Sequence, residues 1–295
     1  MIKKILKITM ALMTAGALTA CSGGTESGQS SSESSSTEVS SNSTNSTDNT
    51  ESTDSSTDNS TDSSEPEQSA PTEPTVTPIN AEPDYEWDKV IALTFDDGPN
   101  IGTTNEVLDV LEKHQVVASF FLIGNNITDD SAKSVKRAYD LGCEINNHSK
   151  SHGYMDKMTA EEIIEEYSYV DDKVFEITGE HTKFFRPPYI AVGDLMWENI
   201  DVPFISGLGC NDWDPNVTVE QRVKVITRSA QDGCIILMHD AQGNSRTVEA
   251  IDQIIPALKE QGYKFTTVSG LFEAKGITPV TKMIYSNATQ QGMWG

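Results

Sequence analysis

Between residues 22 and 84 the sequence has no lysine or arginine, against thirteen acids, and more than half of residues 22–64 are Ser or Thr. With so little apolar surface to bury, this stretch cannot offset the entropy of ordering, which excludes a folded domain there. Its like charges and scattered prolines, among them Pro66, Pro71, Pro74 and Pro78, favour an extended tether. Positive charge is scarce in the chain as a whole, whose formal net charge is −24. Such a field repels phosphate backbones and argues against nucleic acid as a partner. The apolar run at 8–18 falls short of the about 20 residues that a transmembrane helix needs. CxxC pairs are missing as well. With Cys21 set aside, Cys143, Cys210 and Cys234 form an odd set beside apolar runs, read as small buried residues rather than a disulfide or metal framework.

What is present begins with Lys3, Lys4 and Lys7, then the apolar run, then small residues, the layout of an export signal over 1–20. Leu18-Thr19-Ala20-Cys21 resembles the lipobox of bacterial lipoproteins, in which the cysteine is acylated and becomes the mature N-terminus. More than one acyl chain on Cys21 would give stable membrane attachment. The expected plan is therefore a signal over 1–20, a lipidated tether over 21–84, a folded domain over 85–276 and a C-terminal tail over 277–295. The protein would be exported, membrane-anchored and monomeric. From Tyr85 onward there are 18 basic and 32 acidic residues, a net −14, with enough apolar residues for one domain.

In that part strand-like and helix-like patterns alternate. Strands are expected over 89–95, 117–123, 143–146, 184–185, 204–208, 234–238 and 265–268. Helices are expected from Thr103 with Glu106 closing a capping box, over 131–141, from Thr159 with Glu162, from Thr218 with Gln221, and over 248–261. About seven βα units indicate an α/β protein with a mostly parallel sheet, open or closed into a barrel. Chemistry in such folds collects at the C-terminal ends of strands.

The unusual residues fall there. Asp96-Asp97-Gly98-Pro99 follows the first strand, and two adjacent carboxylates can serve one site only where the chain turns, which Gly98-Pro99 provides. His148 and His152 follow the third strand, and a spacing of four would bring both imidazoles to one face of a helical turn. Arg186-Pro187-Pro188-Tyr189, Asp212-Trp213 and Leu237-Met238-His239 end later strands. His114 and His181 lie in polar surroundings and are read as surface residues. No Ser or Cys has a base partner visible in sequence, and a metal can supply a nucleophile instead. A protein-held Zn²⁺ lowers the pKa of water from about 15.7 to about 7, worth roughly 12 kcal/mol.

This ordered set over 89–271 resembles the five motifs of the polysaccharide deacetylases, the NodB-homology enzymes of carbohydrate esterase family four. The resemblance implies a distorted TIM-like (β/α)7 barrel. It implies Asp97, His148 and His152 as ligands of a divalent metal, Zn²⁺ first, with Co²⁺ or another divalent ion as alternatives. It makes Asp96 the general base, oriented by Arg186, and His239 the general acid. The backbone N–H of Tyr189 would help stabilise the oxyanion, while Trp213 and Leu237 would wall the acetyl-methyl pocket. One departure stands out: where many relatives carry an Asp three places before Asp212-Trp213, this chain has Gly209. Asp212 is then the residue expected to orient His239.

The partner implied is an acetylated polysaccharide. A −14 domain would be repelled by an anionic wall polymer but not by neutral xylan. The stretch Gly209-Cys-Asn-Asp-Trp-Asp-Pro215 also looks more like the acetylxylan esterases, so acetylxylan is placed ahead of peptidoglycan and chitooligosaccharide. Rival readings are a non-catalytic carbohydrate-binding lipoprotein or a metal scavenger. The first would show a lost ligand, base or acid; the second gives Arg186 and Leu237-Met-His239 no purpose.

Overall fold

The computed structural model describes residues 76–79 and 89–290. Residues 1–20, Cys21 and most of the expected tether lie outside the described residues. The strands are β1 (Val90–Asp96), β2 (Ser119–Leu122), β3 (Glu144–Asn147), β4 (Phe204–Ile205), β5 (Ile235–His239), β6 (Lys264–Thr266) and β7 (Ile284–Tyr285). The helices are α1 (Thr103–His114), α2 (Ser131–Asp140), α3 (Ala160–Thr178), α4 (Asp194–Asn199), α5 (Val219–Ser229), α6 (Ser245–Glu260) and α7 (Val268–Ala274). No described helix is long and apolar enough to cross a membrane.

β1 is the centre. It pairs in parallel with β2, β5 and β6, and β2 pairs with β3. Single parallel bridges carry the ring onward from Asn147 to Phe185 and from Phe185 to Phe204, and another joins Leu208 to Ile236 of β5. The segments expected as strands at 184–185 and 204–208 are thus barely strands, and the barrel closes through them irregularly. β7 comes from the segment expected to be a tail; it pairs in parallel with β4 and buries Tyr285. At the other end, Ile79 is buried and its N–H donates to the Leu141 carbonyl at 2.9 Å, so this piece of the expected tether docks on the domain.

All seven residues of β1 are buried, as a central parallel strand requires. Its side chains divide by the twofold period of a strand. Ile91, Leu93 and Phe95 join the core under the helices with Leu108, Leu111, Ile251 and Ile254, whereas Val90 and Ala92 join Phe121, Phe184, Ile205 and Ile235 inside the ring. The inward row of β1 therefore runs Val90, Ala92, Thr94, Asp96, apolar at the bottom and polar at the top. β5 repeats the pattern with Ile235, Leu237 and His239. Two alternating strands deliver a carboxylate and an imidazole to one mouth.

The capping boxes at Thr159/Glu162 and Thr218/Gln221 form as their spacing dictates. The one expected at Thr103/Glu106 does not: Gly102 is the N-cap and makes no side-chain cap. Asn100 Oδ1 instead accepts the N–H groups of Gly102 and Thr104, at 3.1 and 3.2 Å. That frees the Thr103 hydroxyl oxygen to accept the Gly243 N–H at 2.8 Å. Cys143, Cys210 and Cys234 are buried and free. Burial pushes the thiols of Cys143 and Cys210 up to about 12, so neither is a nucleophile near neutral pH.

Candidate active site

The five polar clusters meet at the C-terminal mouth of the strands, around a cavity of about 570 Å³ lined by Asp96, Asp97, His148, His152, Tyr189, Gly209, Asp212, Trp213, Leu237 and His239, among others. A hollow of about 630 Å³ between Tyr139, Glu144 and Lys183 lies at the start of β3 and holds no comparable set of groups.

β1 ends at Asp96, and the chain turns at Asp97, whose φ of 75° is left-handed. The turn sends Asp97 across the mouth while Asp96 stays inside the barrel. His148 and His152 do come together, with ring centroids 4.8 Å apart, but not on the helical turn expected from their spacing. The loop is built by left-handed Ser149 and His152, with φ of 70° and 58°. Asn147 Oδ1 accepts the Ser149 N–H and Ser149 Oγ accepts the His152 N–H, each at 2.9 Å, and these bonds hold the loop where no helix ladder exists. Five of the eight described non-glycine residues with positive φ line this mouth, namely Asp97, His152, Tyr189, Ile190 and Asn211, and a sixth, Ser149, is buried in the histidine loop behind it. Each costs of order 1 kcal/mol or more, so the surrounding contacts must hold them.

One oxygen explains the cluster. Asp97 Oδ1 is buried without a hydrogen-bond partner, 3.7 Å from His148 Nε2 and 3.6 Å from His152 Nε2. His148 Nδ1 lies 2.7 Å from the Arg186 carbonyl, which can only accept, so Nδ1 carries the proton and Nε2 presents a lone pair. Burial outweighs the nearby carboxylates and holds the His148 pKa below its ordinary value, keeping the ring neutral. One atom each from Asp97, His148 and His152 lie within 4.8 Å of one another. A carboxylate whose orphaned oxygen faces two imidazoles is a donor set that fits a divalent cation such as Zn²⁺ or Co²⁺.

Asp96, 2% exposed, takes the Arg186 Nη1–H on Oδ1 at 2.5 Å. Arg186 is fully buried, gives further bonds to Thr94 Oγ1 and the Ser206 carbonyl, and lies 4.0 Å over the Phe121 ring. Burial would raise the Asp96 pKa, but Arg186 foremost, then His148 and His239, hold it below the usual carboxylate range. Across the cavity, Asp212 accepts His239 Nδ1–H on Oδ1 and the His239 backbone N–H on Oδ2, both at 2.8 Å. Burial would lower the His239 pKa, yet the bond and charge of Asp212, with Asp96 and Asp97, push it up to about 9. Trp213 is 63% exposed on the rim, not a core aromatic. Tyr189 stands half out of the surface, stacked on Tyr154 at 4.1 Å and edge-on to His152 at 4.7 Å. Of the histidines read as surface residues, His181 is largely exposed, while His114 is mostly covered and lies 2.6 Å from Asp252.

The family profile described as polysaccharide deacetylase matches residues 85–201. A family 4 acetyl xylan esterase from Clostridium thermocellum, solved in complex with a cobalt ion, is 38% identical, with TM-score 0.67, over 68% of this chain and 100% of that one. The chain belongs to the polysaccharide deacetylase family. Among curated members of that family, the bifunctional xylanase/deacetylase of Pseudobutyrivibrio xylanivorans is 51% identical over 200 residues, 68% of this chain and 33% of that protein. The peptidoglycan-N-acetylglucosamine deacetylase PgdA of Listeria monocytogenes is 34% identical over 203 residues, 68% of this chain and 43% of that protein. The chain thus spans less than half the length of either curated relative.

In this deacetylase-family site, sequence reasoning missed Asp240, although it directly follows His239. Asp240 is fully buried; its Oδ1 accepts the Gly98 N–H at 3.1 Å and its Oδ2 meets the Thr104 hydroxyl. Burial raises its pKa to about 7, with Asp97 and Asp96 adding to the rise. Its carboxylate is the reason for Gly98: a Cβ there would sit 2.5 Å from Asp240 Oδ2. Gly98→Ala should therefore displace the turn that carries Asp97. We expect Zn²⁺ affinity, measured by calorimetry, to fall about tenfold or more; wild-type affinity would show that the turn does not depend on this contact.

Proposed function

We propose that the protein is a metal-dependent hydrolase that removes acetyl groups from a polysaccharide. The observation that carries this reading is the convergence on one cavity of a three-ligand cation site, an arginine-held carboxylate and an aspartate-held imidazole. In the proposed roles, Asp97 and the Nε2 atoms of His148 and His152 hold the cation. A divalent ion there supplies Lewis acidity, lowering the pKa of a water and polarising an acyl carbonyl. Asp96, ionised and fixed by Arg186, accepts the proton of the attacking water. The Tyr189 backbone N–H contributes to stabilising the tetrahedral oxyanion. His239, protonated on Nδ1 toward Asp212, gives the Nε2 proton to the departing sugar oxygen or nitrogen, while Trp213 and Leu237 border the acetyl methyl. An intact base, acid and ligand set favours this reading over a non-catalytic carbohydrate-binding protein.

The favoured substrate is acetylxylan, cleaved at an O-acetyl ester. The 51% identical relative is named for xylanase and deacetylase activities, and the −14 surface suits a neutral polymer. N-Deacetylation of an N-acetylglucosamine polymer is the second reading, favoured by the similarity to PgdA. Zn²⁺ is the proposed ion, with Co²⁺ as the alternative. We also infer that the chain is exported and held at a bacterial membrane by acyl groups on Cys21, as the lysines, apolar run and Leu18-Thr-Ala-Cys21 suggest.

Acetate release should be measured side by side on acetylxylan, acetylated chitooligosaccharide and peptidoglycan, before and after chelation. Release is expected to be fastest on acetylxylan, to stop with chelator and to return with Zn²⁺ or Co²⁺; activity untouched by chelator would exclude the mechanism. The acid must be protonated to act, so the rate should fall as pH rises through the His239 pKa. Asp212→Asn removes the charge that raises that pKa, so the alkaline limb of kcat should move down toward the ordinary imidazole range near about 6.5. An unmoved limb would remove His239 as proton donor. Cys21→Ser should release the protein from membranes into the soluble fraction, and a variant still sedimenting with membranes would count against the acyl anchor.

A further inference from the structure

Arg222 of α5 is 1% exposed, and among the described residues it makes no salt bridge. A buried guanidinium without a carboxylate against it is costly unless its N–H groups are all engaged. Here four of the five are spent on one small assembly. Nη1 donates to Thr247 Oγ1 and Asn244 Oδ1, both at 2.9 Å, and Nη2 and Nε donate to the carbonyls of Asp214 and Val217, both at 3.2 Å. Thr247, fully buried at the start of α6, lies with its Oγ1 2.7 Å from Asp212 Oδ2. Asn244 Nδ2 donates to the carbonyls of Asp212 and His239, at 3.2 and 3.1 Å.

The direction of each bond follows from donor chemistry. Arginine can only donate, so Thr247 Oγ1 accepts from Arg222 and its single proton points to Asp212. Asp212 Oδ2 then receives two donors, the Thr247 hydroxyl and the His239 backbone N–H, which leaves Oδ1 for the His239 ring. The carboxylate cannot rotate without breaking a bond at each oxygen. Arg222 and Thr247 do not line the cavity, so neither can touch substrate.

We propose that Arg222 and Thr247 are positioning residues of the reaction: Arg222 orients the Thr247 hydroxyl, Thr247 locks the Asp212 carboxylate, and Asp212 thereby holds the His239 ring with Nε2 toward the cavity. The proposal rests on the reading of His239 as proton donor, but its geometry can be tested without activity.

The test compares wild type with Thr247→Val, Thr247→Ser and Arg222→Met, each as the zinc-loaded full-length chain. It reads kcat and KM for acetate release, the melting temperature, and the imidazole Nδ1–H resonance of His239. Thr247→Val, close in shape but without the hydroxyl, should lower kcat about tenfold with KM within twofold. It should also broaden or shift the His239 Nδ1–H signal, and Thr247→Ser should restore both. Arg222→Met should show the same signature; if it does not fold, the Val/Ser pair decides alone. Wild-type kcat and signal in Thr247→Val would overturn the proposal, as would a lowered melting temperature with the His239 signal unmoved, which marks a merely structural role. A wild-type protein that releases no acetate would defeat the deacetylase reading and leave the resonance experiment to judge the positioning.

Discussion

The site is organised around one buried ion pair. Arg186 and Asp96 meet inside the barrel with almost no exposure, where each charge alone would be prohibitively costly. The pair is tolerable because Arg186 is engaged on every side, by Thr94, by the Ile205 and Ser206 carbonyls and by the Phe121 ring. Its consequences reach both halves of the chemistry. The guanidinium keeps Asp96 ionised, and the Arg186 carbonyl fixes the proton of His148 on Nδ1. One residue thus sets the state of the proposed base and the free lone pair of a proposed ligand.

A second carboxylate-centred unit, Asp212 with His239, faces the first across the cavity, and the two environments push their pKa values apart. Asp96 is held low by cations, and His239 is held high by anions. A base that stays ionised and an acid that stays protonated can then coexist at one pH, which is what hydrolysis of an acyl bond requires. Asp240 stitches the halves together, since it follows His239 in the chain and grips the turn that carries Asp97. The left-handed residues around the mouth are the conformational cost of bringing five chain segments to one point.

Much of this was legible in the chain. The strands β1 and β5, the capping boxes at Thr159 and Thr218, and the five clusters at strand ends follow from residue type and local hydrogen bonding, which act over a few residues. The helix turn expected for His148 and His152 and the box expected at Thr103 yielded to side-chain hydrogen bonds from near neighbours. The strand expected at 184–185 is reduced to single bridges, and the one expected at 204–208 shortens to Phe204–Ile205. Asn147 and Ser149 shape the histidine loop, Asn100 caps α1 in place of Thr103, and the barrel closes through single bridges. β7 was missed because two residues make no period, and only pairing with β4 reveals them as a strand.

The sequence by itself determined the secondary-structure rhythm, the acidic balance and the identity of the groups at the mouth, because those depend on residue type and near-neighbour spacing. Only the tertiary structure decided which of two adjacent aspartates turns inward, which imidazole nitrogen is free and which buried groups stand behind the acid. Arg222, Thr247 and Asp240 look ordinary along the chain. Their roles come from hydrogen bonds across the fold, up to 142 residues apart, and no local pattern can carry that information.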